Sequence, residues 1–520
     1  MVSAEISLFG LTRRLGISQW RRELIPTLNG LVIILIGGYL LVASRVEAML
    51  SLLMVTMLMA GSAAVIVTAL GSSSIPPVSV VSGMLFIRLL FASGEKRPPW
   101  MAALQINGWY IIFAAYGILS AVLMPRIFAG QIDVAPLRPI SVKGLFDVVP
   151  LQFTSQNITS PFYITGSMLT AVCSFLVMRS ARGAITIVRS AVIVTWIHVL
   201  TGLAGVLLPA EIWRTATGIF RNGSYAQTAQ SVGGYARITG IMPEPSTYAA
   251  YGFAWAVFMT ECWLRDVMPK RTGPAAGAMT LILIFSTSTT AYISLAAYGL
   301  ILLIRAMIFP TFFKQSKVII VLASAIVFVT SAMLLLLLNP VLVDWLTKIF
   351  LAMTVEKVDS DSAEQRTFWA KQGIEAFKVS HGLGIGAGSF RSSNNITAIL
   401  GSMGVIGIAA YLLYVIKVFR PLRSSTYSKT RDHLEAVGVA CAWTTTCYII
   451  PGLAGAPSPD PGPLFSLFAG AALGLRYLPL RVQLRPRPHP VWREVFRADG
   501  ALPAPGSLPP RATAEAPTPN

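Results

Sequence analysis

The sequence predicts an all-α polytopic integral membrane protein with about 12 transmembrane helices. Composition is the first reason: of 520 residues, 54% are hydrophobic and only 12% are charged. Mean hydropathy is +0.66, more apolar surface than one soluble core can hide. The second reason is that the apolar residues come in repeated runs. A hydrocarbon slab of roughly 30 Å needs about 20 helical residues at about 1.5 Å each, and many stretches approach that length.

The formal net charge of +19 is carried by short basic linkers between apolar runs. That is the pattern of cytoplasmic loops on a membrane protein, and no nucleic-acid partner is expected. The four cysteines, Cys173, Cys262, Cys441 and Cys447, all fall inside apolar runs without metal-ligand spacing. Neither a disulfide framework nor a metal site is expected.

Residues 1–26 carry Arg13, Arg14, Arg21 and Arg22 and read as a basic cytoplasmic N-terminus, with the first apolar run retained as a span. Apolar runs follow at about 27–43, 49–70, 78–93, 103–125, 162–179, 185–209, 244–264, 275–288, 290–305, 318–338, 397–417, 432–451 and 462–480. The linkers with Lys96 and Arg97, Arg179 and Arg182, Lys270 and Arg271, Lys314 and Lys317, and Arg420 to Arg431 should face the cytoplasm. With both chain ends inside, one run is surplus. The expected one is 78–93, which is short, opens on Pro76-Pro77 and contains Arg88; it reads as re-entrant or interfacial.

This topology, a transmembrane domain over 27–480, leaves outer loops at about 126–160, 210–243 and 340–396, the last long enough to carry short helices of its own. The stretch 481–520, rich in Pro, Ala and Arg, reads as a disordered cytoplasmic tail.

Candidate chemistry lies in the outer loops. Arg237 and Glu244 stand at the mouth of the 244–264 span, Glu244 between Pro243 and Pro245. A carboxylate there also meets the positive end of a helix, so Glu244 reads equally as a helix-start residue paired with an arginine. In the next loop, Arg366 shares a helical face with Ala370, Gly373, Ile374 and Phe377. It reads either as a phosphate clamp or as an arginine tied to a structural carboxylate. The string His381-Gly-Leu-Gly-Ile-Gly-Ala-Gly-Ser-Phe-Arg391 follows no strand, which rules out a dinucleotide loop. Its glycines suit either an anion against backbone amides or close packing on helices. His381 is the one histidine placed in an outer loop, a candidate base that also reads as structural.

The order of these features resembles the O-antigen ligase and polymerase superfamily, especially its exopolysaccharide polymerases. The resemblance is carried by Arg237 to Glu244-Pro-Ser, the Phe285-Ser-Thr-Ser-Thr-Thr-Ala-Tyr-Ile-Ser294 hairpin, Arg366-x-x-Trp369, Gly384-Ile-Gly-Ala-Gly-Ser-Phe-Arg391 and Gly404-Val-Ile-Gly407. It covers about 230–420, and the rest by topology alone. It implies a GT-C-like, metal-independent glycosyltransferase of the bacterial inner membrane, without cofactor. Such an enzyme transfers glycan from undecaprenyl diphosphate to an acceptor hydroxyl at the periplasmic face.

The resemblance further implies that Arg237 and Arg366, assisted by Arg391, hold the diphosphate, with Glu244 first and His381 second as acceptor base. The implied partners are the undecaprenyl-diphosphate-linked oligosaccharide, a chain-length regulator and export machinery. Ligases carry a His-Asn pair where this chain has Ser393-Asn394, and the Arg-x10-Gly repeats of some O-antigen polymerases are not found. The rival readings are a ligase-type transferase, a lipid-linked-sugar flippase, whose charges should line a cavity deep within the spans, and an assembly subunit of a secretion complex.

Overall fold

The computed structural model describes residues 24–43, 45–70, 72–92, 98–137, 146–223, 231–232, 235–308, 315–339, 361–419 and 433–476. The segment before residue 24, the linkers with Lys96, Arg97, Lys314 and Arg420 to Arg431, the first part of the 340–396 loop and the 481–520 tail lie outside the described residues.

The first half of the chain forms helices α1 (Leu28–Ala43), α2 (Val46–Thr56), α3 (Pro77–Leu90), α4 (Trp100–Ile106), α5 (Gly108–Ile127), α6 (Gln156–Met178), α7 (Ala181–Leu207) and α8 (Ala210–Gly218). The second half forms α9 (Pro245–Leu264), α10 (Pro269–Ile284), α11 (Thr289–Ile308), α12 (Gln315–Leu338), α13 (Asp361–Val379), α14 (Asn395–Phe419), α15 (His433–Cys447), α16 (Ile449–Gly455) and α17 (Gly462–Arg476). Among the described residues, 6 helical stretches are long and apolar enough to cross a membrane: α5, α6, α7, α11, α14 and the α15–α16 stretch. Shorter apolar helices, α1, α2, α3 and α17, pack with them.

The packing explains why polar residues are tolerated inside the bundle: they bond across helices rather than to water. Tyr110 on α5 meets Ser466 on α17 at 2.7 Å, and Tyr414 on α14 donates to Asn107 at 2.9 Å. Ser174 on α6 donates to the Leu467 carbonyl at 2.8 Å. The aromatic rings of Tyr110, Tyr411, Tyr414 and Phe465 pack against one another around these bonds.

One sequence expectation is corrected. The run 49–70 is not one helix: α2 ends in a short 3-10 turn, Met57–Met59, and Gly61-Ser62 breaks it. The β-branched residues that follow form β2 (Val65–Val67), which pairs antiparallel with β1 (Leu24–Pro26) and β3 (Ser73–Ile75). The run 78–93, expected to be re-entrant or interfacial, forms α3, an apolar helix shorter than the membrane-crossing ones. Helix α3 is packed among other helices, with Val81 and Leu85 fully buried, and runs parallel to α6. Ser74 accepts from Tyr163 at 2.6 Å, and Ser82 meets Thr170 at 2.8 Å one level further along both helices.

Thr27 donates to the Ala63 carbonyl at 2.6 Å, and the Ala63 N–H donates to Asn222 at 2.8 Å. The Asn29 amide reaches the Ile219 carbonyl. Residues 24–26 therefore stand at the end of the bundle that holds residues 219–223 and 235–243.

Two small ribbons complete that end, β4 (Asp133–Val134) with β5 (Val149–Pro150) and β6 (Ser231–Val232) with β7 (Tyr235–Ala236). A separate small core of Met124, Phe128, Val134, Leu151, Ala376, Ile385 and Phe390 lies beneath the first ribbon. At the far end the buried Glu261 carboxylate accepts from Arg305 at 2.5 Å and Tyr298 at 2.9 Å and pairs with Arg265. Lys317 pairs with Asp266 at 2.7 Å.

Candidate functional site

Helix α9 starts abruptly because Pro245 occupies its first turn and Glu244 is extended (φ −156°, ψ 161°). The Glu244 side chain does not cap the helix. Its Oε1 instead accepts from Ser246 at 2.5 Å and Thr247 at 3.2 Å. Among the described residues Oε2 has no hydrogen-bond partner, and no cation lies within ion-pair distance of the carboxylate.

Arg237 is placed by the Ser/Thr-rich hairpin between α10 and α11. Thr287 there takes a positive φ of 49°, and its carbonyl accepts from Arg237 Nη2 at 3.1 Å. The rest of the 237–243 segment is held by Arg221, which sequence reasoning passed over. Its Nη2 donates to the Gly240 carbonyl at 2.6 Å and also bonds Thr239.

Arg366 on α13 donates to the Ala454 carbonyl at 3.2 Å. Arg391 lies over the Trp369 ring at 4.3 Å, which gives the Arg366-x-x-Trp369 pattern a physical role: one turn of helix presents a guanidinium and an aromatic shelf for another. The Arg391 backbone N–H is fixed to the Ala135 carbonyl at 2.9 Å, and Gln372 accepts from Ala135 N–H at 2.7 Å. The small core beneath the β4–β5 ribbon thus supports both arginines.

These residues come from three separate stretches of chain and act on one another electrostatically. Burial holds the Arg237 guanidinium below the ordinary arginine range; Arg366 pushes the same way and Glu244 opposes. Burial also lowers Arg391, with Glu244 raising it and Arg366 lowering it further. Glu244 bears on Arg237 and Arg391, and Arg366 bears on both of them, so the cluster sets three guanidinium groups against one carboxylate, an excess of two positive charges. Among the described residues none of the three forms an ion pair, and the buried Nε atoms of Arg237 and Arg391 have no hydrogen-bond partner. The far-end arginines differ, both being bonded to Glu261. A cluster of half-buried, like-charged forks with a single carboxylate among them carries a positive excess suited to a dianionic or polyanionic ligand such as a diphosphate.

His381 is not brought into this cluster. It is exposed at the end of α13 with φ 50°, and its backbone N–H is bonded to Lys378. The Gly-rich string resolves toward packing. Helix α14 is broken at Gly404 (φ 57°, ψ −152°), so sharply that Asn395 bonds Tyr411 at 3.3 Å although 16 residues of straight helix would hold them about 24 Å apart. The break leaves carbonyls without helical partners. The loop supplies them: Ile385 and Gly386 N–H groups donate to Gly401 and Ser402 at 2.8 and 3.0 Å, and Val405 N–H donates to the Gly382 carbonyl at 2.9 Å. These amides are occupied and do not cradle an anion.

Gly384 combines φ 84° with Ser402 and Met403 backbone atoms where a Cβ would fall, at about 2.5 Å. Gly384→Ala is therefore expected to destabilise the protein by at least about 2 kcal/mol, read as a lower Tm in detergent. Gly299→Ala, on an open helix surface, should leave Tm unchanged or slightly higher.

The Ser393-Asn394 pair is accounted for by bonding to backbone. Ser393 donates to the Arg366 carbonyl at 2.5 Å, and Asn394 accepts from Ile396 N–H at 2.8 Å at the start of α14. The pair fastens α13 to α14.

The described structure thus defines a helical protein of multi-pass membrane type, with a cluster of arginines lacking ion pairs gathered around a single carboxylate at one end. No protein-family model matches the chain, and no curated protein is significantly similar to it.

Proposed function

We propose that the protein polymerises undecaprenyl-diphosphate-linked oligosaccharide repeat units at the periplasmic face of a bacterial inner membrane, as a GT-C-like glycosyltransferase of about 12 spans. The observation that carries this reading is the convergence of Arg237, Arg366 and Arg391, none of them paired, on the equally unpaired Glu244. A lipid diphosphate gains negative charge as its glycosidic C–O bond breaks. Guanidinium groups already fixed and partly desolvated stabilise that charge without reorganising. Glu244, with one oxygen held by two hydroxyls and the other open, takes the proton of the acceptor hydroxyl as the new bond forms. The lipid diphosphate departs as an anion, so no metal is required for balance. Chain-length regulator and export machinery belong to the same proposal as partners.

A flippase requires charges along a path through the membrane. The buried ionic cluster described inside the helices lies at the far end, where the Glu261 carboxylate is taken up by Arg265, Tyr298 and Arg305, which favours transfer over transport. A deletion strain complemented with wild type and with Arg366→Ala at equal membrane levels tests the reading. Mass spectrometry should find long polymer with wild type and single periplasm-facing repeat units with the variant. Units retained on the cytoplasmic leaflet would instead make the protein a transporter.

A further inference from the structure

Below Glu244 a polar stripe on α9 comes to a stop. Between residues 244 and 259, Glu244, Ser246, Thr247, Ala250 and Tyr251 remain partly exposed, and every residue after Tyr251 is buried. Tyr251 lies about 10 Å along the helix axis from Glu244. Its ring meets that of Tyr448 edge-on with centroids 6.4 Å apart, and Asp460 lies within electrostatic reach of both phenols. Asp460 closes the turn between α16 and α17, level with Ser167 in the fourth turn of α6. Its two oxygens each accept one bond, from Ser167 at 3.1 Å and from the Gly462 N–H at 3.1 Å. Lone pairs remain on both oxygens.

The three side chains are half-buried rather than sealed. Among the described residues the hydroxyls of Tyr251 and Tyr448 have no hydrogen-bond partner. Elsewhere in the bundle Tyr110, Tyr163, Tyr248, Tyr298 and Tyr414 all bond their hydroxyls to protein groups. Two unbonded, half-buried phenols beside a carboxylate at the edge of a helical bundle offer polar capacity that a ligand can fill. Burial pushes the Asp460 carboxyl above the usual carboxylate range, against the two bonds that lower it, so this group too gains from donors brought in from outside.

We propose that Asp460, Tyr251 and Tyr448 form the floor of a blind cleft that binds sugar hydroxyls of the lipid-linked unit whose diphosphate the arginines hold. The inference rests on the function proposed above and adds where the glycan lies. A carboxylate accepts from neighbouring hydroxyls of one ring, phenols donate or accept as required, and the aromatic faces cover the C–H face of a sugar. A hydrocarbon tail would leave all three polar groups unpaired. A cation would find only one carboxylate. A site built to bond hydroxyls also discriminates sharply against ligands that lack them, so this floor would set which repeat unit is accepted.

The full-length protein in nanodiscs separates the two levels of argument. Two probes are titrated: bare undecaprenyl diphosphate, and the lipid-linked repeat unit extracted from a deletion strain. Wild type should bind the unit more tightly than the bare lipid. Asp460→Asn, and separately Tyr251→Phe, which removes an unpartnered hydroxyl and leaves the ring, should weaken binding of the unit about 10-fold or more and leave binding of the bare lipid unchanged. Unit binding that stays at wild-type strength in both variants overturns the inference while the proposed function stands. If wild type binds neither probe, the proposed function fails and the inference with it.

Discussion

Glu244→Gln is expected to slow chain extension about 10²–10⁴-fold at unchanged protein level in the membrane. The substitution keeps the shape of the side chain, and its amide oxygen still accepts from Ser246 and Thr247, the two hydroxyls that hold Glu244 Oε1. What it removes is the open oxygen that accepts a proton. The alternative, that Glu244 only begins a helix, makes a different forecast. A helix-start carboxylate acts through the dipole or a capping bond worth about 1 kcal/mol, so Gln would change stability slightly and turnover little. Glu244 makes no capping bond, which already tells against that alternative. Rates of extension measured on matched membrane preparations decide it, and a loss of less than about 10-fold would remove Glu244 from the chemistry.

Arg366→Ala should cost about 10²–10³-fold in turnover, the usual effect of deleting one preorganised charge donor at a developing anion. Arg366→Lys should recover part of the loss, because charge is kept while the planar fork is lost. Arg366 is the informative member of the cluster because it acts on both other arginines, whereas its own bonds to Ala454 and, through its carbonyl, to Ser393 are to neutral groups. A purely structural Arg366 would lose stability on truncation with no preference for the transition state. Measuring kcat and KM separately distinguishes these outcomes: a fall in kcat marks transition-state stabilisation, and a rise in KM alone marks ground-state binding.

Much of the helical architecture was legible because long apolar runs have few alternatives in lipid. The error at 49–70 has a local cause. Val65-Ile66-Val67 is as hydrophobic as a span but is β-branched and preceded by Gly61-Ser62, and hydropathy alone does not separate strand from helix in so short a run. Pro76-Pro77 marked the start of α3, and Pro77 indeed occupies its first turn.

At the candidate site, arginine and glutamate positions were readable from loop placement and order. Their convergence was not, since it depends on the break at Gly404 and on the 380–390 loop that stitches it. The same glycines signalled either packing or anion binding, and only the destination of each N–H decides between them. His381 looked apt as a base from chemistry alone, yet it stands on the exposed end of α13. Asp460 was overlooked because it sits in a Pro-rich turn, Ala456-Pro-Ser-Pro-Asp460-Pro, with no periodic pattern to show that it reaches the bundle interior.

The most direct measurement of the central claim is reconstitution of the purified protein in proteoliposomes containing fluorescently labelled lipid-linked repeat units extracted from a deletion strain. Polymerisation predicts glycan of two or more repeat units, with undecaprenyl diphosphate released in proportion to each new linkage, and both products formed about 10²–10³-fold more slowly with Arg366→Ala. Movement of the labelled unit from one leaflet to the other, with no growth of the glycan and no released lipid diphosphate, would contradict the account and make the protein a transporter.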